Sequence, residues 1–234
     1  MPNWTNNKII CKKSIGDKLL TKVDDKYILD FNKLVPMPNT LHLVSGTLEE
    51  NAIACYYLSS KKEEQKKIKE VLKNKKLDFY SNYWSKYESK INYLSSNKKQ
   101  LKKEKEIFLN NNYEDNYRKF NSLEELGKEY FNNIVNYNFA DWYDWRIENW
   151  GTKWNVDDDV DVSYNENDDE YKISFNTAWS APVGIIKEFS RLCSDEEFNW
   201  EFVNEDFDGY HSLKKEDGII YDTITNYNKD LEYA

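Results

Sequence analysis

Residues 160–179, "VDVSYNENDDEYKISFNTAW", decide the expected fold of this chain. In residues 160–164 and again in residues 171–175, apolar side chains alternate with polar ones, and the polar turn "NENDD" separates the two runs. A period of two residues is typical of a half-buried strand. Two such runs around a turn predict a β-hairpin.

The segments around this hairpin extend the pattern. Residues 180–193, "SAPVGIIKEFSRLC", predict a helix, with Ser180 as its cap and Pro182 in its first turn. Residues 198–206 alternate again, and "YHSLKKEDGIIYDTI" at 210–224 predicts a second hairpin. Upstream, residues 9–11 and 27–31 predict two further strands. This order predicts an α+β fold, an antiparallel sheet with helices on one face.

Residues 47–137 have a different character, because they contain no proline and their apolar residues recur every three or four positions. This spacing is typical of amphipathic helices. Thr47 with Glu50 and Ser122 with Glu125 match the capping-box pattern. We therefore predict a core formed by residues 1–47 and 136–234 and a Lys-rich helical insertion at residues 48–135, with a hairpin of two long helices as one arrangement.

The composition of the 234 residues indicates a folded intracellular protein. Aromatic residues make up 16% of the chain, whereas disordered chains are poor in them. The three cysteines, Cys11, Cys55 and Cys193, are far apart and odd in number, which disfavours a disulfide framework or a zinc site. No apolar run approaches the ~20 residues of a membrane span. We expect a cytoplasmic location without membrane contact.

Charge is divided unevenly along the chain. Residues 61–110 hold 15 Lys against seven Asp and Glu, whereas residues 141–234 hold 24 acidic against eight basic residues. The overall net charge of −9 therefore hides a basic middle and an acidic C-terminal part. Such an asymmetry informs on partners and solubility and not on the fold.

Four motifs lie along the two ends of the chain: "MPNW" at 1–4, "FNKLVPMP" at 31–38, "WYDWRIENWGTKWN" at 142–155 and "SFNTAWSAP" at 174–182. In this order they resemble the motifs of the YubB ferredoxin-like family of plasmid and phage proteins. The chain departs from the family pattern at Thr5 and Arg146, where the family has Cys, and at Ala181, where it has Pro. The resemblance implies a ferredoxin-like α+β core and a mobile-element origin. It implies no catalytic residues.

Tryptophans concentrate in residues 141–155, "DWYDWRIENWGTKWN", which hold four of the eight in the chain. One interpretation is a structural core, since each large ring buries about 150–250 Å². The other is a platform on which nucleic-acid bases stack. We favour the core, because "DDDVD" follows and repels phosphate. The predicted structural aromatic core is Trp4, Trp142, Trp145, Trp150, Trp154 and Trp179.

An acidic group follows these tryptophans. It could be a solvated hairpin tip, a metal site, or an imitation of nucleic-acid phosphates that occupies a basic groove on a partner. The EF-hand pattern is absent, since the stretch lacks its glycine, and we predict no metal and no cofactor. The predicted partner-binding residues are Asp157, Asp158, Asp159, Asp161, Asp168, Asp169 and Glu170.

The Lys-rich helices are the best nucleic-acid candidate in the chain. Lys and Glu interleave in "KKEEQKKIKEVLK", which favours a solvated face with ion pairs along the helix. The alternative is contact with phosphates. The predicted nucleic-acid-binding residues are Lys61, Lys62, Lys66, Lys69 and Lys73.

No catalytic constellation emerges from the sequence. The chain has two histidines, His42 and His211, neither in a metal or nucleophile motif, and no phosphate-binding glycine motif. We therefore expect a non-enzymatic protein of a phage or other mobile element that inhibits a host defence protein, an anti-CRISPR-type inhibitor of a nucleic-acid-guided effector. The alternative is a nucleic-acid-binding module that uses the Lys-rich helices and the sheet face.

Overall fold

The computed structural model describes residues 3–24, 26–77, 81–110, 120–156, 160–193, 196–204, 209–216 and 219–225. The chain divides into two compact units. Unit 1 is Met1–Met37 with Arg146–Ala234, and unit 2 is Pro38–Trp145. Unit 2 extends beyond both ends of the predicted insertion, 48–135, since Leu43 and Ala140 also belong to its hydrophobic core.

Unit 1 is built on antiparallel strands. Among the described residues these are β1 Trp4–Lys12, β2 Leu20–Val23, β3 Lys26–Leu29, β4 Asp161–Asn165, β5 Glu170–Ala178, β6 Phe198–Val203, β7 Tyr210–Glu216 and β8 Ile219–Thr225. Strands β2 and β3 pair with each other, and the remaining strands form one sheet in the order β4-β5-β1-β6-β7-β8. The helix Val183–Leu192 connects β5 to β6. The inner order β4-β5-β1-β6 is the split β-α-β arrangement of ferredoxin-like folds.

Helices cover one face of this sheet. Ile9 in β1 is fully buried and lies between Ile173 and Trp200 on the neighbouring strands. Helix α1, Lys13–Leu19, approaches this face so closely that a Cβ at Gly16 would meet the ring of Tyr171. The helix after β5 places Phe189 with its ring centroid 6.0 Å from that of Trp200. The predicted α+β class, with helices on one face, is confirmed.

The described elements confirm the local predictions for the C-terminal part, with one correction. The β4–β5 and β7–β8 hairpins and strand β6 form as the alternation predicts. The helix begins at Val183 with Pro182 at its N-cap, and Ser180 does not cap it. The Ser180 hydroxyl instead donates a hydrogen bond to the Gly151 carbonyl, at 2.6 Å.

Unit 2 is helical, but it is not a hairpin of two long helices. Its described helices are α2 Thr47–Ser59, α3 Lys62–Asn74, α4 Tyr83–Ser96, α5 Lys98–Asn110 and α6 Leu123–Tyr137. Short helices can bury their apolar stripes on one another, so that Tyr87 and Leu126 become fully buried. Helices α2 and α6 meet closely, because a Cβ at Gly127 would collide with the Ala52 carbonyl. No helix among the described residues is long and apolar enough to cross a membrane.

Neither predicted capping box forms in full. Ser122 caps α6, accepting a hydrogen bond from the Glu125 amide at 3.2 Å, but the Glu125 carboxylate accepts from the Asn121 amide at 2.9 Å and not from Ser122. At the start of α2, however, Gly46 is the N-cap residue, and the Glu49 carboxylate accepts from its amide at 3.3 Å. Glu49, and not Glu50, therefore occupies the third helical position and points into the unit.

Candidate functional site

Three separate segments of unit 1 bring three tryptophan rings and one lysine together. We call Trp4, Lys153, Trp154 and Trp179 the tryptophan–lysine cluster. The ring centroids of Trp4 and Trp154 are 6.1 Å apart. The Lys153 ammonium lies 4.8 Å from the ring centroid of Trp154 and 4.4 Å from that of Trp179. These distances are within the range of cation–π attraction.

Trp179 has an unusual backbone for its residue type. Its φ of 76° lies in the left-handed region, where a bulky residue is a genuine outlier. Its amide donates a hydrogen bond to the Asn3 carbonyl at 2.8 Å, which fixes the chain there. Its side chain is 43% exposed. Conformations of this kind cost of the order of 1–3 kcal/mol and concentrate at functional positions.

Hydrogen bonds hold the loops that carry the cluster. The Thr152 hydroxyl donates to the Ala178 carbonyl at 2.8 Å, and the buried Ala178 pairs with Trp4 across β5 and β1. Gly151 follows the helix Trp142–Trp150, and its φ of 84° with the Val183 amide 2.6 Å from an added Cβ leaves no room for a side chain. The backbone segments that carry the rings are therefore held in place.

The predicted aromatic core is divided by the structure. Trp145 and Trp150 are buried, Trp4, Trp142 and Trp154 are half-buried, and Trp179 is exposed. For Trp179 the core prediction is wrong. It follows the end of β5, where its left-handed backbone interrupts the alternation that buries the preceding strand residues.

The acidic candidates lie on and beside the β4–β5 hairpin. Asp157, Asp158 and Asp159 lie outside the described residues. Asp161, Asp168 and Asp169 are exposed and Glu170 is half-buried. The Lys12 ammonium donates to the Asp168 carbonyl at 2.7 Å and lies 3.2 Å from the Glu170 carboxylate, while the Tyr164 hydroxyl donates to Asp169 at 2.6 Å. These contacts fix the hairpin tip, with Asp161 and Asp168 facing solvent.

The lysine candidates belong to one helix. Lys61 is the N-cap residue of α3, and Lys62, Lys66, Lys69 and Lys73 lie within it. Lys69 is half-buried, with its ammonium 4.2 Å from the ring centroid of Trp84, so it serves packing inside unit 2. The other four are exposed.

A buried charged group in unit 2 has no counterpart in the sequence predictions. The fully buried Glu49 carboxylate accepts two hydrogen bonds from the Lys86 ammonium, at 2.7 and 2.9 Å, and one from the Tyr87 hydroxyl. A second carboxyl, Asp141, is also buried there. Gly46, just before the first turn of α2, was the sequence feature that could have predicted Glu49 as the residue that completes the helix cap. For Lys86 no local signal exists, because it sits among many other lysines.

The three cysteines and His211 are engaged in packing. Burial raises the pKa of the Cys11 and Cys55 thiols to about 12, and it also raises the pKa of Cys193, so none offers a thiolate at neutral pH. The His211 ring stacks on Phe202, with centroids 4.4 Å apart. In the described part of the chain, no three His, Cys, Asp or Glu side chains are grouped to hold a metal ion.

Comparisons with known proteins add little beyond these residues. No protein family and no curated protein matches the sequence. A solved structure with a likeness is that of protein api92 from Yersinia pseudotuberculosis, which carries the family label DUF1281. It is 9% identical, with a TM-score of 0.42, over 97% of this chain and 99% of that chain.

Proposed function

We propose that this chain is a non-enzymatic binding protein of a phage or other mobile element that inhibits a host defence protein in the host cytoplasm. The observation that carries the proposal is the tryptophan–lysine cluster. An exposed tryptophan in a costly backbone conformation, held by hydrogen bonds, is poorly explained by the needs of the fold. It is well explained as a preorganised anchor for a partner.

The chemistry of the cluster fits protein recognition. Tryptophan is enriched among the few interface residues that contribute most of the binding energy. A rigid anchor loses little conformational entropy on binding, which favours affinity. The resemblance to the YubB family supports the mobile-element origin, and that origin makes a component of host defence a suitable target.

The more specific part of the proposal, that the target is a nucleic-acid-guided effector, is inferred from the distribution of charge. Asp161 and Asp168 present exposed carboxylates on one hairpin of an acidic C-terminal part. Carboxylates on a stable hairpin can occupy a groove that otherwise binds phosphates, since complementary potentials steer association and select partners. An anti-CRISPR-type inhibitor would act in this way.

Trp179→Gly separates a structural role from a binding role. Glycine adopts positive φ without penalty, so the change removes roughly 1–2 kcal/mol of backbone strain. It also removes the cation–π contact with Lys153, which contributes about 0.5–1 kcal/mol. We expect a Tm equal to or above that of the wild type, together with loss of the partner in a tagged pulldown from host lysate. The matched control is Tyr93→Ala, which removes an exposed aromatic ring of unit 2 instead of unit 1. This variant should retain the partner.

The outcomes of the pulldown discriminate directly. A partner that resists RNase and DNase and is lost with Trp179→Gly supports the inhibitor. A Trp179→Gly protein that melts several degrees lower while still capturing the partner would show that the ring serves the fold, and the proposal would fail.

The acidic hairpin gives a second prediction. Asp161→Asn with Asp168→Asn is expected to slow association with the captured partner by about tenfold at low salt, because rim charges act mainly on the association rate. The difference should shrink as salt screens the charges. The control is Glu63→Gln, which neutralises an exposed carboxylate on α3. Unchanged association of the double variant at low salt would rule out phosphate imitation by this hairpin.

A second candidate function is direct nucleic-acid binding. The exposed Lys61, Lys62, Lys66 and Lys73 of α3 favour it. Fluorescence anisotropy with labelled single-stranded RNA and DNA tests it on the purified protein. Affinity that falls steeply with salt, and weakens when these lysines become alanine, would support this function over the inhibitor.

A further inference from the structure

Asp141 in unit 2 is a buried acid, and the described residues supply a hydrogen-bond partner to only one of its two carboxyl oxygens. It precedes the helix Trp142–Trp150, which we label α7, and its Oδ1 accepts from the Tyr143 amide at 2.8 Å. Its side chain is 2% exposed. Its Oδ2 is buried and has no hydrogen-bond partner among the described residues. A carboxylate oxygen in that position would carry charge without a donor from the described residues to stabilise it.

The surroundings of Asp141 are already negative. Glu49 on α2 is a second, fully buried carboxylate, and Lys86 on α4, with its side chain 11% exposed, is ion-paired with it. Asp144 and Tyr143 on α7 and Tyr83 and Tyr87 on α4 also face this group. One ammonium therefore stands against two buried carboxyl groups and a third acid. When Asp141 is neutral, the charges of Glu49 and Lys86 cancel and no second buried negative charge remains.

We propose that unit 2 carries Asp141 as a neutral carboxylic acid, and that release of its proton destabilises unit 2 around the Glu49–Lys86 ion pair. As a neutral acid, Asp141 places no charge on its unpartnered oxygen and leaves the Lys86 charge to Glu49. When ionised, it adds a second buried negative charge beside Glu49. Unit 2 thereby contains a proton-sensitive switch.

The direction of the effect follows from linkage. Burial, followed by the nearby Glu49 charge, raises the pKa of Asp141 from 3.8 to about 8 in the folded chain. The folded state therefore keeps a proton that the unfolded chain has released, and stability falls as pH rises from about 4 to about 8. Tyr83 and Tyr87 stay neutral in this window, because burial raises the pKa of both hydroxyls above their usual value.

Asp141→Asn tests the proposal, because asparagine keeps the oxygen that caps α7 and cannot ionise. Urea unfolding of both full-length proteins is measured from about pH 5 to about pH 9, with hydrogen exchange of α2 and α4 amides reporting on unit 2. The ratio of unfolding constants, wild type over Asp141→Asn, should rise by up to tenfold per pH unit and level off above about pH 8. Glu148→Gln, an exposed neutralisation on the same helix, should track the wild type.

If the unfolding constants of the wild type and Asp141→Asn changed with pH in parallel, the proposal would be overturned. Should Asp141→Asn fail to fold, the wild type alone decides. Its infrared spectrum should contain the C=O stretch of a protonated carboxylic acid at pH 6 that is lost by pH 9. Absence of that band at pH 6 would overturn the proposal equally.

Discussion

Replacing Lys86 with methionine is expected to lower the free energy of unfolding by about 3–5 kcal/mol, because it leaves a buried carboxylate without its counter-ion. Glu49 is fully buried, and the Lys86 ammonium donates to both of its oxygens. The Tyr87 hydroxyl and the Gly46 amide still donate to Glu49 in the variant, but neither supplies a positive charge. Urea unfolding at pH 7 measures the effect.

The chain supplies a matched control in Lys102→Met. Lys102 pairs with Glu106 on α5 at 3.5 Å, with side chains 78% and 57% exposed. A surface pair of this kind contributes about 0–1 kcal/mol, so Lys102→Met should be close to the wild type.

A double variant completes the argument. Glu49→Gln with Lys86→Met should recover much of the loss, since removing both charges is less costly than stranding one of them. If Lys86→Met and Lys102→Met lowered the free energy of unfolding by amounts that agree within about 0.5 kcal/mol, the stabilising role of the Glu49–Lys86 pair would be contradicted.

Replacing Trp150 with alanine is expected to lower the free energy of unfolding by about 3–5 kcal/mol, as is usual for large aromatic residues in a core. Trp150 is fully buried in unit 1 and its indole N–H donates to the Val35 carbonyl at 2.8 Å. Its ring meets Phe31 edge-to-face, with centroids 5.7 Å apart. The variant therefore creates a cavity and removes a hydrogen bond. Calorimetry or urea unfolding measures the effect.

Two companion variants separate these contributions. Trp150→Phe keeps most of the apolar volume but strands the Val35 carbonyl, so its cost should be about 1–3 kcal/mol. Trp179→Ala removes a ring of the same type that is exposed and should cost less than about 1 kcal/mol. Equal losses for Trp150→Ala and Trp179→Ala would contradict the assignment of one ring to the core and the other to the surface.

Local sequence patterns predicted the elements of unit 1 well. The hairpins, strand β6 and the helix after Pro182 each follow from alternation or helical spacing within about ten residues. Such patterns are reliable because a strand or helix repeats its own geometry over a short stretch. The helical content of unit 2 was predictable for the same reason.

The candidate sites were less predictable. The tryptophan–lysine cluster gathers residues 4, 153, 154 and 179, and their proximity depends on the pairing of β1 with β5. Counting tryptophans indicated a core, whereas the backbone of Trp179 directs that residue to the surface. The Glu49–Lys86 pair joins positions 37 residues apart on two helices.

By itself, the sequence determined the α+β class, the strand and helix identities of the C-terminal part, and the uneven distribution of charge, because each is a property of neighbouring residues. Only the tertiary structure decided that Glu49 and Asp141 are buried with Lys86 beside them, that Trp179 is exposed, and that the insertion is several short helices. Burial depends on which distant segments pack together, since a charge is costly inside the protein and harmless outside it. A lysine that holds a core and one that faces solvent are identical until the chain has folded.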